Sequence, residues 1–171
     1  MTGETGTGAA AGSGTAAPNS APSTVRVQWA GNGRYDVGRP QGPTVRLDSS
    51  GATGPSPVDA LLSALGACAS VDVVDIMAKR RTPVTSLTVD VIGERVQTVP
   101  RRVRHATLHF TIAGDGIDRV QTERAIELAV TKYCSVRDSL REDIVVDWTL
   151  TLGVSGASAQ SSAQSTGNNS A

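Results

Sequence analysis

The chain has 171 residues, 39% of them hydrophobic but only 3% aromatic, which fits one domain with an aliphatic core plus tails. Sixteen basic residues balance sixteen acidic ones, so no net field favours nucleic acid or an anionic membrane. No unbroken run of about 18 apolar residues occurs, so no transmembrane helix is expected.

The N-terminus lacks the basic start and apolar stretch of a secretory signal, which implies a cytoplasmic chain. In that reducing compartment the two cysteines, Cys68 and Cys134, are expected as thiols or as a redox couple rather than as a permanent cross-link.

Residues 1–23 are dominated by Gly, Ala, Ser, Thr and Pro, and residues 154–171 by Ser, Ala, Gln, Gly and Asn. Neither segment has enough apolar surface to offset its ordering entropy. Both are expected to be disordered tails around a folded domain at 24–153. Val25, Val27 and Trp29 alternate with polar residues, as a strand does. Gly31-Asn32-Gly33 marks a turn, Arg34 to Val37 a returning strand, and Val45 with Leu47 a third. Ser56, Pro57 and Asp59 then read as a capping box with proline at the first helical position. The helix they open carries Leu61, Leu62, Leu65, Ala69, Val73, Ile76 and Met77, and ends in Lys79-Arg80-Arg81 before Pro83. Apolar residues on more than one face predict a central helix, buried on several sides.

Leu87, Val89 and Val91 predict one long strand, and Leu108, Phe110 and Ile112 another. Asp118 and Gln121 suggest a second capping box, opening a helix to about Lys132. A short helical turn over 135–141 and a strand over 144–152 complete the order βββ-α-ββ-αα-β. Bunched strands predict an α+β fold with a largely antiparallel sheet.

The two thiols read differently from local chemistry. Cys68 lies mid-helix among Gly66, Ala67, Ala69 and Ser70. These small neighbours either leave room for a substrate above the sulfur or allow close helix packing around an inert thiol. Asp72, one turn on, would not help form a thiolate. Cys134 falls where a short helix begins, with Lys132 and Arg137 nearby, so local chemistry favours it as the activated thiol. Its alternative is a half-buried residue at a helix junction. His105 and His109 share one strand face about 13 Å apart, too far for one metal ion to bridge, and are expected on the solvent side. No Walker loop, Gly-x-Gly-x-x-Gly strand turn or Gly-x-Ser-x-Gly elbow is present, and no cofactor is expected. Arg101, Arg102 and Arg104 read as a solvated turn.

Gly54-Pro55-Ser56-Pro57 leads to Leu61-Leu62-Ser63-Ala64-Leu65-Gly66-Ala67-Cys68 and Asp72-Val73-Val74-Asp75-Ile76. This run resembles the first helix of OsmC-like proteins, and Lys132-Tyr133-Cys134-Ser135-Val136 resembles their second cysteine motif. The likeness covers nearly all of 24–153 and is nearest to the OsmC-related subgroup with a Gly-Pro-Ser-Pro helix start. It implies an intertwined homodimer, with antiparallel sheets wrapped around long central helices and two interface active sites. It also implies a thiol peroxidase. Cys68 would attack a hydroperoxide and become a sulfenic acid, Cys134 would resolve it to a disulfide, and a dithiol reductant would reopen it. That reverses the ranking drawn from local chemistry.

The peroxidase branches activate the first cysteine with an Arg held by a Glu ten residues before it, and that position here is Val58. Arg34, Arg39 and Arg46 are the candidates for the Arg. This departure supports an alternative, a non-enzymatic dimeric module that binds an apolar ligand or senses redox state.

Overall fold

The computed structural model describes residues 22–153. The expected tails 1–23 and 154–171 lie outside that range, apart from Pro22 and Ser23, which are exposed. The element order is β1 (Arg26–Trp29), β2 (Arg34–Gly38), β3 (Thr44–Asp48), α1 (Pro57–Lys79), β4 (Val84–Arg95) and β5 (Val103–Gly114). Then come α2 (Arg119–Leu128), a π-helical turn (Ala129–Tyr133), α3 (Ser135–Asp138) and β6 (Val145–Leu152).

Strands β1, β2 and β3 form an antiparallel meander. Its first turn needs left-handed backbone at Gly31, Asn32 and Gly33, with φ of 84°, 51° and 74°, and a Cβ on Gly33 would collide with the Ser49 hydroxyl. After β3 the chain folds around the buried Asp48. Its carboxylate accepts from the backbone N–H and the hydroxyl of both Ser50 and Thr53, at 2.7–3.1 Å. This knot sets the loop that delivers the chain to the start of α1.

Helix α1 begins as the sequence predicts. The Ser56 hydroxyl accepts from the Asp59 N–H at 3.3 Å, and the Asp59 carboxylate accepts from the Ser56 N–H at 3.0 Å. Leu65, Ala69, Val73 and Met77 recur every four residues and are almost fully buried, forming one seam. The seam packs on a second sheet. In it β4 and β5 are antiparallel, pairing Val91 with Leu108, Val89 with Phe110 and Leu87 with Ile112. Strand β6 runs parallel to β5, with Trp148 beside Leu108 and Leu150 beside Phe110. This corrects the expectation of a largely antiparallel arrangement for that edge. The connection through α2, the π turn and α3 is a crossover, which returns the chain in the direction of β5. At α2, the Asp118 carboxylate accepts from the Gln121 N–H at 2.9 Å. The second capping box is only half made, because the Gln121 side chain instead accepts from Arg80.

The expectation that α1 is buried on several sides holds for all but one: it packs against β4, α2, the π turn and α3, and one side is uncovered. Leu61, Val71 and Val74 are exposed. By length and composition α1 could cross a bilayer, but its buried seam against β4 and α2 is that of a core helix with one uncovered side. The meander is also uncovered. Its register places Val27, Val37 and Val45 in one row and Trp29, Tyr35 and Leu47 in the next, on one face. Val27, Trp29 and Val45 are 65–70% exposed.

The hydrogen bonds to Asp48 hold its carboxyl well below the ordinary carboxylate range, the Ser50 hydroxyl contributing most. A lowered folded-state value stabilises the fold above the ordinary value near 3.8, and that contribution is lost as pH falls further. Asp48→Asn should therefore lower the melting temperature at pH 7, and the gap from wild type should narrow in scans taken below pH 4. A gap independent of pH would assign the effect to packing.

Candidate functional site at two facing cysteines

Cys68 directly precedes the buried Ala69 on α1, so it sits at the edge of the seam, half-buried. Cys134 reaches it through the π turn. The Cys134 N–H donates to the Ala129 carbonyl at 2.9 Å, one residue further back than in an α-helix. The backbone then becomes extended at Cys134 (φ −68°, ψ 98°), which is the N-cap of α3. Its sulfur accepts from the Arg137 N–H at 3.3 Å. Because α1 packs against the π turn and α3, Cys68 lies near enough to Cys134 to push its thiol up. Both are free thiols.

The N-cap position of Cys134 is as the sequence suggests, but its electrostatic consequence is corrected. Burial pushes the Cys134 thiol above its ordinary value, and the neighbouring Cys68 adds to the rise, while the Arg137 and Val136 N–H groups only partly oppose it. Cys134 is a protonated, buried thiol rather than the activated one. Gly66 has a packing reason, since a Cβ there would stand 2.8 Å from Val91 Cγ2. The small residues around Cys68 thus serve, at least at this position, the contact between α1 and β4.

Among the described residues, no Arg or Lys side chain donates a hydrogen bond to either sulfur. Arg46 makes a two-point pair with Asp36 at 2.6 and 3.1 Å, Arg34 donates to the Gly31 carbonyl, and Arg39 lies in the turn after β2. Val58 occupies the first turn of α1, and Asp59 is held by the cap. His105 and His109 do share a face, but each is half-buried and has its own partner. His105 sits between Asp147 at 2.9 Å and Glu94 at 3.6 Å, and His109 meets the Thr149 hydroxyl at 2.7 Å. Arg102 and Arg104 pair with Asp143 and Glu94 at the surface.

A cleft of about 290 Å³ borders Cys134 and is lined by Val130, Thr131, Lys132, Arg137, Asp138 and Val146. The sequence drew attention to Lys132 and Arg137 only as neighbours in the chain. The Arg137 guanidinium donates to the Ile144 carbonyl at 3.1 Å, tying α3 to the start of β6. Nothing in the local pattern announces that contact, or the π turn that aims Cys134 at α1.

Because Cys68 contributes to the raised Cys134 value, Cys68→Ala should bring the Cys134 thiol part of the way back toward normal, with burial holding the remainder. The pH dependence of Cys134 alkylation by iodoacetamide, followed by mass spectrometry, reads this directly. An unchanged profile would mean that the two sulfurs do not interact.

Residues 49–149 match the family described as OsmC-like protein. Protein YhfA of Escherichia coli (strain K12) is 35% identical over 113 residues, covering 66% of this chain and 84% of that protein. Among solved structures, an OsmC-like protein from Mycoplasma pneumoniae matches with a TM-score of 0.65 at 19% identity, covering 75% of this chain and 95% of that one. The organic hydroperoxide resistance protein OhrB of Bacillus subtilis shares the fold with a TM-score of 0.53 at 12% identity, over 75% and 98% of the two chains. The two cysteine motifs, the α+β architecture and the match over 49–149 agree, and the chain belongs to the OsmC-like family.

Proposed function

We propose that the protein is a thiol-dependent peroxidase that reduces organic hydroperoxides or hydrogen peroxide. The observation that carries this reading is the meeting of the Cys68 and Cys134 thiols across α1 and the π turn. Disulfide chemistry needs two sulfurs that can close on each other, and only Cys68 is open enough for a substrate to approach first. The Cys68 thiolate attacks the nearer peroxide oxygen. The O–O bond breaks, the alkoxide takes a proton and leaves as an alcohol, and Cys68 becomes a sulfenic acid. Cys134 then attacks that sulfur. The S–O bond breaks, the departing hydroxide takes the Cys134 proton and leaves as water, and a Cys68–Cys134 disulfide forms. A dithiol reductant reopens it. A family resemblance that extends to proteins named for organic hydroperoxide resistance supports the assignment.

The unit is a homodimer. The exposed side of α1 with Leu61, Val71 and Val74, and the exposed apolar face of the meander, supply surfaces for a second copy to cover. The alternative is a module without turnover that binds an apolar ligand in that interface or senses redox state. It is favoured by Val58 and by the absence, among the described residues, of a cation on either sulfur.

Reduced protein mixed with cumene hydroperoxide should consume it and yield a Cys68–Cys134 disulfide on peptide mapping. Cys68→Ser should abolish turnover, and Cys134→Ser should leave a trappable sulfenic acid. No disulfide and no peroxide loss would sink the peroxidase reading. Unaltered retention of a lipid by the double Cys→Ser variant would establish the alternative. Val71→Asp with Trp29→Asp should convert a dimer to a monomer by light scattering. A monomeric wild-type protein would rule the dimer out.

A further inference from the structure

We infer that Arg137 is the positioning residue for the resolving thiol: it fixes the rotation of Cys134 toward Cys68, and with it the rate at which the disulfide closes. This rests on the peroxidase reading and ties the second step of that cycle to a residue beyond both cysteine motifs. The N-terminal side of Cys134 is secured by the core, since Ala129 and Val130 of the π turn are buried. Its C-terminal side is not. Helix α3 spans four residues and buries none of them, and a single helical turn does not hold itself in water. Val136 and Leu140 pack partly against the core, but apolar contacts of that kind are non-directional. The directional tie is Arg137. Its guanidinium donates to the Ile144 carbonyl at 3.1 Å. Ile144 is buried and directly precedes β6, which pairs with the central strand β5. Among the described residues this is the one side-chain hydrogen bond that carries α3 to the sheet; the Ser139 hydroxyl turns back to the Ser135 carbonyl. The backbone of the same residue holds the sulfur, its N–H donating to Cys134 Sγ at 3.3 Å. Two hydrogen bonds in series thus refer the thiol to the sheet.

The cleft of about 290 Å³ beside Cys134 gives this tie something to work against. None of its lining residues belongs to α1, so it offers the sulfur a second direction, away from Cys68. With α3 held, the thiol stays aimed at α1. With α3 released, its rotamers spread over both directions, and closure waits for the productive one. In closure, Cys134 Sγ bonds to the Cys68 sulfur, the S–O bond of the sulfenic acid breaks, and the departing hydroxide takes the Cys134 proton to leave as water. As negative charge develops on Cys134, its bond from the Arg137 N–H strengthens. Neither Arg137 contact involves Cys68, so attack on the peroxide is independent of this side chain.

The test separates the two steps in full-length reduced protein mixed with cumene hydroperoxide. Sulfenic acid on Cys68 is trapped with dimedone at timed intervals, and the disulfide is followed by peptide mapping. Arg137→Met keeps the length of the side chain and removes its donors. It should leave sulfenic acid formation within about twofold of wild type and slow closure about tenfold, so that the sulfenic acid accumulates. Arg137→Lys, which restores a cationic donor, should recover most of the closure rate. Closure by Arg137→Met at the wild-type rate, equal slowing of both steps, or no recovery with lysine would each overturn the inference. If Arg137→Met does not fold, Arg137→Gln is read by the same two rates. Diamide supplies an arm without peroxide. It adds to the Cys68 thiolate, and attack by Cys134 on that sulfur releases the reduced reagent, which takes the Cys134 proton. If peroxide leaves wild-type Cys68 unoxidised, the peroxidase reading falls, and the diamide closure rates of wild type and Arg137→Met still decide the role of Arg137. If diamide joins no cysteines in the wild type, both fall.

Discussion

The packing of the α1 seam on the inner face of β4, β5 and β6 is the constraint from which the rest of the structure follows. Leu65, Ala69, Val73 and Met77 meet a layer built from Val89, Val91, Leu108, Phe110 and Ile112. Closing that layer removes Phe110 and Leu108 from water, and each such side chain contributes about 1.5–3 kcal/mol. With α1 locked in rotation and height, Cys68 has one place to be. It is next to the seam rather than in it, which keeps its sulfur half-open while its backbone is rigid. Ala125, Ile126, Ala129 and Val130 extend the same core, so the π turn is held as firmly as the helix. Two distant parts of the chain are thereby brought to one point by aliphatic burial.

In the proposed peroxidase cycle, that arrangement divides the labour between the thiols. A sulfur that attacks peroxide must be reachable and able to ionise. One that resolves a sulfenic acid must wait nearby without reacting first. Burial and the neighbouring sulfur keep Cys134 protonated, which suits waiting. Local sequence reasoning favoured Cys134 as the reactive thiol, because a helix N-terminus lowers a thiol's value. The favourable N–H contact does exist. It loses to desolvation, which is the larger effect at this site. The distinction rests on how deep the residue lies, and depth is a property of the assembled core rather than of a short stretch of chain.

The same division explains what was legible in the sequence. The strands, the capping box at Ser56 and Asp59, and the end of α1 near Arg80 are encoded within a few residues, and each forms where local chemistry places it. The parallel edge strand is not encoded that way. Alternation in Val146, Trp148 and Leu150 marks a strand without marking its direction, which is set by the crossover through α2 and α3. The pairing of Gln121 with Arg80 rather than with its own N-cap is a tertiary contact overriding a local motif. The two cysteines stood out because they were few. Their proximity required the fold, and the resemblance anticipated it where the residues alone did not.

The uncovered surfaces make the final argument. The sequence pattern of α1, apolar on more than one face, asks for burial on several sides, and this chain leaves one of them uncovered, with Leu61, Val71 and Val74 exposed. The meander asks for burial of Trp29, Val27 and Val45 and leaves each of them 65–70% exposed. Six exposed side chains of this kind on α1 and the meander, at about 1.5–3 kcal/mol each, amount to roughly the whole stability of an ordinary domain, about 5–15 kcal/mol. A surface of that worth is not left to water without consequence. The proposed dimer resolves the mismatch by letting each copy complete the other's helix.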